Sequence, residues 1–330
     1  MDVYSLHGIT LGVEQQGEIA GFDLSGLLAD LSFVRAPSAT RTAGFQLAVS
    51  APERSAAPPK SAREVFRYDG LRGLADAEGF YLTLGPSLFR VGARQAQVTL
   101  TPEFFDNSSL LQQQFWAFGV LRLLRPMGVF GLHAAGVVSP AGTGVLVVGS
   151  SGSGKSTLTV DLINQGWAYV GDDAVLLREK GGQVEVLALR KPFSMAEHKE
   201  LDRFGPGPSK KQKSRIDMRE VYPDQFVPVF VPNVILYPEI TGRPESRLLP
   251  LDAAPALQRL LEQSGPQFFV RATMDRHMDV LSRLVRQCAH YELHSGLDLY
   301  RNPVKLISLL AAVEQGKADG SDHRRAHQSL

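Results

Sequence analysis

The chain has 330 residues, of which 44% are apolar and 21% are charged, and its formal net charge is +1. This composition is typical of a soluble globular protein with one large or two ordinary domains. A nearly neutral chain has no global field that would attract nucleic acid or a membrane surface, so we expect neither partner. The single cysteine, Cys288, excludes an internal disulfide bond and fits a reducing, cytoplasmic compartment.

Membrane and export signals are not expected either. No apolar run approaches the ~20 residues that a membrane-spanning helix needs. The N-terminus lacks a charged region followed by an apolar stretch, so we expect no secretion signal.

Residues 1–128 are predicted to form a β-rich region that ends in a buried helix. Short β-type segments at 79–85, 88–91 and 97–100 are separated by glycine or charged residues. A helix is expected to begin near Asn107 and must end before Pro126. Because this helix is apolar on most sides, we expect it to lie between the N-terminal region and the part of the chain that follows.

Residues 129–315 are predicted to form an α/β domain, and residues 316–330 a polar, disordered tail. The expected strands are 144–149, two short strands within 167–177, 184–189 and 232–238. The expected helices are 158–165, 253–264, 275–289 and 302–314.

A phosphate-binding loop is predicted between the strand at 144–149 and the helix at 158–165, which Gly166 closes. The pattern G-x-x-x-x-G-K-[ST] is formed by Gly149, Ser150, Ser151, Gly152, Ser153, Gly154, Lys155, Ser156 and Thr157. Glycines let several backbone N–H groups point into one concavity, and the helix N-terminus adds its positive dipole end. Lys155 can then reach nucleotide phosphates and Ser156 can bind Mg²⁺. The alternative is a glycine-rich turn that binds nothing.

Two further features have the spacing of a phosphoryl-transfer site. Asp172 and Asp173 follow the loop by about one helix and one strand, where one carboxylate can hold a metal and the other can accept a proton. Taken alone, such a pair is more often a solvated turn. His133 precedes the loop strand and can touch a phosphate or orient a carboxylate, although a single histidine in an apolar stretch is more often a core residue.

Together, the segments 132–138, 144–157 and 166–177 resemble the kinase domain of the HPr kinase/phosphorylase family, and especially its broad group of HPr-kinase-related proteins. In that family a histidine, a phosphate loop, a helix ending in glycine and an Asp-Asp pair occur in this order, as they do here. The resemblance implies a fold related to phosphoenolpyruvate carboxykinase, with ATP and Mg²⁺ as cofactors and phosphate transfer to a serine-type hydroxyl.

The resemblance also implies roles for individual residues. Lys155 and Ser156 would hold phosphate and metal, His133 would lie beside the transferred phosphate, and Asp172 and Asp173 would share the metal and base roles in either order. Two departures from true HPr kinases are visible: Thr157 replaces a glutamate, and the segment 187–194 lacks their glycine-rich signature. These departures argue against HPr as the acceptor and against the reverse reaction.

The acceptor is therefore expected to be a serine hydroxyl of another peptide or protein, for example a precursor of a ribosomally made natural product such as a lasso peptide. Two alternatives remain open: a kinase for an amino acid, a sugar or another small alcohol, and a non-catalytic protein gated by nucleotide. The basic run 209–215 is either a lid over phosphates or a solvated loop. True family members assemble, so a homo-oligomer is compatible with the resemblance.

Overall fold

The protein is described here from a computed structural model. It describes residues 1–37, 43–53, 57–189, 193–195, 214–216, 218–265 and 271–319. Within these residues, none of the helices combines the length and the apolar character that crossing a membrane requires.

The N-terminal part of the chain is mainly β-structure. Its strands are β1 (Asp2–Leu6), β2 (Ile9–Gln16), β3 (Val34–Arg35), β4 (Phe45–Ser50), β5 (Arg63–Tyr68), β6 (Leu71–Ala75), β7 (Phe80–Leu84), β8 (Ser87–Val91) and β9 (Gln95–Thr99). Its helices are α1 (Leu24–Asp30), α2 (Pro102–Phe105) and α3 (Ser109–Leu124), and a short 3₁₀ helix at Arg125–Met127 follows α3.

The remaining described elements alternate between strands and helices. The strands are β10 (Val129–Leu132), β11 (Ala134–Val138), β12 (Gly144–Val148), β13 (Ala168–Gly171), β14 (Val175–Lys180), β15 (Gln183–Ala188), β16 (Phe193–Met195), β17 (Ser214–Ile216), β18 (Val229–Phe230), β19 (Val234–Ile240), β20 (Arg247–Pro250) and β21 (Ala289–Ser295). The helices are α4 (Lys155–Asn164), α5 (Met218–Val221), α6 (Ala253–Gln263), α7 (Arg271–Gln287), α8 (Leu297–Arg301) and α9 (Val304–Asp319), with a 3₁₀ turn at Pro223–Gln225.

These elements divide into two units. The first unit consists of Met1–Leu132, Ala174–Lys191 and Leu260–Leu284, and the second consists of His133–Asp173, Pro192–Arg259 and Val285–Leu330. The first break in the chain lies close to the predicted boundary between residues 128 and 129. The assignment of residues 174–191 to the first unit was not expected, and it follows from pairing, because β14 lies antiparallel between β10 and β15.

The first unit is built on a nine-stranded sheet with the order β3-β1-β2-β4-β9-β8-β7-β6-β5. Helix α3 contacts β7, β8 and β10. Its Phe115 and Trp116 rings lie 5.9 and 5.5 Å from the ring of Phe89 on β8. Ser108 caps the helix by accepting a hydrogen bond from the backbone N–H of Leu111 at 3.3 Å. The predicted buried helix is therefore confirmed, and burial of its aromatic face holds it against the sheet.

The second unit is built on a six-stranded mixed sheet with the order β13-β11-β12-β19-β21-β20. Strand β12 is fully buried, pairs antiparallel with β11 and pairs parallel with β19. Its core joins residues of this sheet to α4 and α9, including Val147, Val160 and Leu310. The valine-rich composition of β12 explains this position, because a strand covered on both faces can be apolar throughout.

The predicted α/β class and the β-rich N-terminal region are confirmed, and several boundaries differ. The helix expected at 302–314 is α9, which begins at Val304, directly after Pro303, and continues to Asp319. The short helix α8 at Leu297–Arg301 was not predicted, and Asn302 and Pro303 separate it from α9, because proline cannot donate a helical hydrogen bond. Helix α9 continues through Asp319 into the segment predicted to be a disordered tail, and residues 320–330 lie outside the described part. Cys288 is buried and comes directly after α7, where its thiol donates to the backbone oxygen of Pro232.

Candidate nucleotide and catalytic site

The sheet of the second unit brings the predicted site residues to one edge. The glycine-rich loop leaves the carboxyl end of β12, and Val148 at that end lies opposite Ala134, the first residue of β11. His133 therefore precedes β11 next to the loop. Strand β13 runs antiparallel to β11, with Gly171 opposite Gly136, so that Asp172 follows at the same edge. Strand ends separated by many residues in the sequence are thus neighbours in space.

The loop has the backbone conformation that its glycines permit. Gly152 has a φ of +86° and Gly154 a φ of +97°, in the left-handed region that residues with a Cβ rarely adopt. Gly154 is the N-cap residue of α4, which begins at Lys155. The N–H groups of this first helical turn therefore follow directly on the loop, which is the arrangement of an anion-binding helix N-terminus.

Lys155 is buried at this helix start, with 4% of its surface exposed. Its Nζ donates to the backbone oxygens of Gly149 at 2.7 Å and Ser150 at 3.0 Å. These loop carbonyls stabilise a cation that has lost most of its hydration. The ammonium group is thus held within the loop itself, where an incoming phosphate would compete with the two carbonyls for it.

Asp172 is fully buried, with 0% of its surface exposed. Its Oδ2 accepts a hydrogen bond from the Ser156 hydroxyl at 2.7 Å, and no described residue hydrogen-bonds to its Oδ1. Burial raises the pKa of Asp172, and the negative charge of Asp173 raises it further, while the Ser156 hydrogen bond and the Lys155 charge oppose both effects. A buried carboxylate with one unsatisfied oxygen is expensive unless a cation completes it.

Asp173 has a different environment although it is the next residue. Its Oδ1 lies 2.8 Å from Nε2 of His133, and their side chains are 48% and 31% exposed. Its backbone φ is +66°, which is uncommon for a residue other than glycine, although aspartate tolerates it better than most. Residues in this conformation are concentrated at functional sites. The Asp-Asp pair therefore consists of one buried acid and one half-exposed acid held by a histidine.

The predicted site residues are not all brought into contact. His133 meets Asp173 and Ser156 meets Asp172, whereas Ser150, Ser151 and Thr157 have exposed side chains. Residues 209–213 of the basic run lie outside the described residues. In the part of the chain that is described, no group of three or more histidine, cysteine, aspartate or glutamate side chains is arranged to hold a metal ion.

A second group of residues at this edge was not predicted. Strand β19 is parallel to β12, and a Cβ added to Gly154 would lie 3.8 Å from Ile240 at the end of β19. Just beyond β19, the Ser246 N–H and hydroxyl donate to Asp298 at 3.0 and 2.5 Å, and Asp298 pairs with Lys305 at 2.5 Å. If the strands at 144–149 and 232–238 were known to pair in parallel, Ile240 would be expected near the loop. A single sequence does not show which strands pair.

Comparison with known proteins supports the resemblance over this region. Residues 131–202 match the family model of the HPr Serine kinase C-terminal domain. The HPr kinase/phosphorylase of Chlorobium luteolum is 43% identical over 93 residues, which cover 28% of this chain and 23% of that protein. The HPr kinase/phosphorylase of Chlorobium chlorochromatii is 42% identical over 62 residues, which cover 19% of each chain. The predicted resemblance to the HPr kinase family is confirmed over residues 131–202.

The extent of the similarity is limited. The match spans about a fifth of the length of these relatives, between 19% and 23%. A solved structure described as the Hpr(Ser) kinase/phosphatase from Coxiella burnetii is 14% identical, and the comparison covers 57% of this chain and 98% of that chain with a TM-score of 0.32. The residues that match the family model, 131–202, include the glycine-rich loop, the histidine before it and the acidic pair.

Proposed function

We propose that the protein is an ATP- and Mg²⁺-dependent kinase that transfers the γ-phosphate to a serine-type hydroxyl of a peptide or protein. One observation carries this proposal: the buried carboxylate of Asp172 accepts a hydrogen bond at 2.7 Å from Ser156, the loop residue that binds the metal in this class of sites. A glycine loop that merely turned the chain would not need a buried acid at its helix start.

The residues present fit a hard divalent cation. Asp172 Oδ1 is buried without a hydrogen-bond partner among the described residues, and the Ser156 hydroxyl lies next to the same carboxylate. Mg²⁺ prefers oxygen ligands of this kind and binds through one or two carboxylates together with substrate phosphates. Asp172 and Ser156 would hold the cation, which when bound neutralises charge on the phosphates.

The remaining residues divide the other tasks. The first-turn N–H groups of α4 and the glycine loop bind phosphate oxygens, and Lys155 exchanges its bonds to Gly149 and Ser150 for bonds to phosphate. Asp173 is half exposed and held by His133, so its carboxylate can accept the proton of an acceptor hydroxyl that approaches from solvent. This assigns the metal role to Asp172, the base role to Asp173 and an orienting role to His133.

A protein acceptor is favoured by the relatives, which are described as kinases of the protein HPr. HPr itself is less favoured, because residues 187–194 differ from the signature expected of true HPr kinases, and it is therefore tested as a separate acceptor. A small alcohol as acceptor is the second candidate, since the chemistry at Asp173 would be the same.

The test is transfer of label from γ-labelled ATP in the presence of Mg²⁺. Three kinds of acceptor are offered separately: purified HPr, a library of serine-containing peptides, and free serine or sugars. We expect label on a peptide or protein, loss of that label in Asp172→Asn and Asp173→Asn, and full label in the control Asp224→Asn, an exposed acid of the second unit. Label that persists in both Asp172→Asn and Asp173→Asn would refute the mechanism. Label on free serine or a sugar alone would mean that the acceptor is a small alcohol and not a peptide or protein.

A further inference from the structure

A cavity of about 370 Å³ in the first unit is lined by three arginines, Arg122, Arg125 and Arg276, together with Thr273. The first two come from the end of α3 and the 3₁₀ helix after it, and the other two from the start of α7. Elements more than a hundred residues apart in the sequence thus bring cationic side chains to one concave site. This site is separate from the residues of the proposed function.

Arg122 and Arg125 are almost completely buried, with 4% and 1% of their surface exposed. Arg122 Nη1 and Arg125 Nε donate to the same acceptor, the Thr273 hydroxyl, at 3.3 and 3.0 Å. Among the described residues, no carboxylate lies within 4.0 Å of either guanidinium. The two buried cations therefore share one neutral hydroxyl, and Arg125 Nη2 in addition lies 3.3 Å from Nδ1 of the buried His277.

Such a pair is costly unless something compensates it. Burial lowers the pKa of Arg122 to about 9, and the neighbouring charge of Arg125 adds to that effect. Burial alone lowers the pKa of Arg125 to about 10. Phe80 and Phe130 lie under the two guanidinium groups, at 4.9 and 5.0 Å, and give cation–π contacts. These contacts are weaker than a charge partner, and they leave the guanidinium N–H groups that do not already contact Thr273 or His277 to other acceptors.

The carboxylates that also line the cavity are engaged elsewhere. Asp76 accepts hydrogen bonds from the Ser61 hydroxyl at 2.7 Å and from the backbone N–H of Glu78 at 2.9 Å. Glu78 lies 3.6 Å from Arg90 and is 73% exposed. Because three arginines line the cavity with only two carboxylates, its lining keeps a net positive charge. Arg276, which donates to the Pro126 carbonyl at 3.3 Å, extends the arginine wall to the exposed rim.

We propose that this arginine cavity binds a small molecule through an oxyanion group, a phosphate or a carboxylate, that the guanidinium N–H edges of Arg122, Arg125 and Arg276 hold. Planar guanidinium groups match both oxyanions with paired hydrogen bonds. The volume lies at the lower end of the range for small-molecule sites. The cavity therefore suits a small-molecule oxyanion.

The experiment measures anion binding by calorimetry to the full chain carrying Lys155→Met. This substitution weakens phosphate binding at the glycine-rich loop, so that the measured heat comes from the arginine cavity. The probes are sodium phosphate, phosphoserine, succinate and neutral glycerol, at ionic strength fixed with potassium chloride. Arg276→Gln is the first variant, because its exposed side chain can change without a core defect. Arg63→Gln, an exposed strand arginine outside the cavity, is the matched control.

We expect a phosphate or a carboxylate probe to bind, Arg276→Gln to weaken it about tenfold, and Arg122→Met to weaken it about a hundredfold, as loss of charge-assisted hydrogen bonds implies. Arg63→Gln should bind like the parent. Binding of phosphate probes alone or of succinate alone supports the site and identifies its oxyanion. Unchanged affinity in Arg276→Gln and Arg122→Met, or no binding of any anion to the parent, overturns it.

Because Arg122 is buried, the melting temperature of Arg122→Met is measured as well as its anion binding. If the site is built for an anion, Arg122→Met without ligand should be at least as stable as the parent, because it removes an uncompensated buried charge. A lower melting temperature together with unchanged anion binding would show that the arginines serve packing on Phe80 and Phe130. None of these measurements depends on kinase activity, so a failure of the proposed function would leave them unaffected.

Discussion

Replacing Ser156 with alanine removes a hydrogen-bond donor from the buried carboxylate of Asp172, which Ser156 contacts at 2.7 Å. A hydrogen bond to a buried charged group contributes about 1.5–3 kcal/mol, and its loss leaves the acceptor unsatisfied. We therefore expect Ser156→Ala to lower the free energy of unfolding of the second unit by about 2 kcal/mol at pH 7. For a unit of this size, that corresponds to a decrease of roughly 4–8 °C in its melting temperature.

The pH dependence has a definite sign. Burial raises the pKa of folded Asp172 above its unfolded value, so the stability linked to this carboxyl is greatest in acid and is lost as the pH rises through the folded pKa. The Ser156 hydrogen bond favours the ionised form and opposes that loss. The cost of Ser156→Ala should therefore be largest at neutral pH and should shrink once acid protonates Asp172.

A double-mutant cycle with Asp172→Asn isolates the interaction. Asp172→Asn alone should stabilise the second unit at pH 7, because it removes a buried charge and keeps an acceptor for Ser156. Thr157→Ala, at the exposed neighbouring position, should change the free energy by less than about 0.5 kcal/mol. Trp167 is buried in the second unit and Trp116 in the first, so ¹⁹F NMR of fluorotryptophan protein in urea follows each unit separately.

The reasoning is refuted if Ser156→Ala and Asp172→Asn add within about 0.5 kcal/mol, which is the limit for independent sites. It is equally refuted if the cost of Ser156→Ala does not change between neutral and acidic pH. Either result would mean that the 2.7 Å contact does not stabilise the ionised carboxylate.

Three further predictions concern residues of the second unit. Lys155→Met should weaken ATP binding about a hundredfold or more by calorimetry, because a buried ammonium is lost from the loop. Gly154→Ala should lower stability in thermal unfolding by roughly 1–2 kcal/mol, because its φ is +97°. Asp298 pairs with Lys305, which with the Ser246 hydrogen bonds holds the pKa of this carboxyl well below its usual range. Its stabilisation is present at neutral pH and lost in acid, so the cost of Asp298→Asn in urea unfolding should shrink as the pH falls.

Local patterns account for the part of the site that was predictable. The strand at 144–149, the loop and the helix closed by Gly166 are consecutive in the sequence, so periodicity and glycine positions predict them. The acidic pair between two short strands is equally local. The structure adds that Asp172 and Asp173 have different partners, because strand pairing brings His133 and Ser156 to them from separate segments.

The rest of the molecule depends on contacts distant in sequence. Residues 174–191 and 260–284 belong with the N-terminal unit, and the arginine cavity exists only because α7 brings Thr273 to α3. A single sequence carries no signal for such pairing. The break at Asn302 and Pro303 is a different case, because a proline marks a helix boundary locally. The helix predicted at 302–314 therefore begins close to the start of α9, whereas the short helix α8 before the break was not predicted.

Several features that lower stability lie together at the edge of the six-stranded sheet, next to the glycine-rich loop. Lys155 is a buried cation, Asp172 a buried acid with an unsatisfied oxygen, and Asp173 a non-glycine residue at a φ of +66°. Features of this kind persist where a function requires them, and an anion with its cation would relieve the first two together. Because burial raises the pKa of Asp172, a divalent cation that binds there must compete with a proton. Affinity for Mg²⁺ should therefore rise with pH, and this dependence should vanish in Asp172→Asn, whereas an affinity independent of pH would place the cation elsewhere.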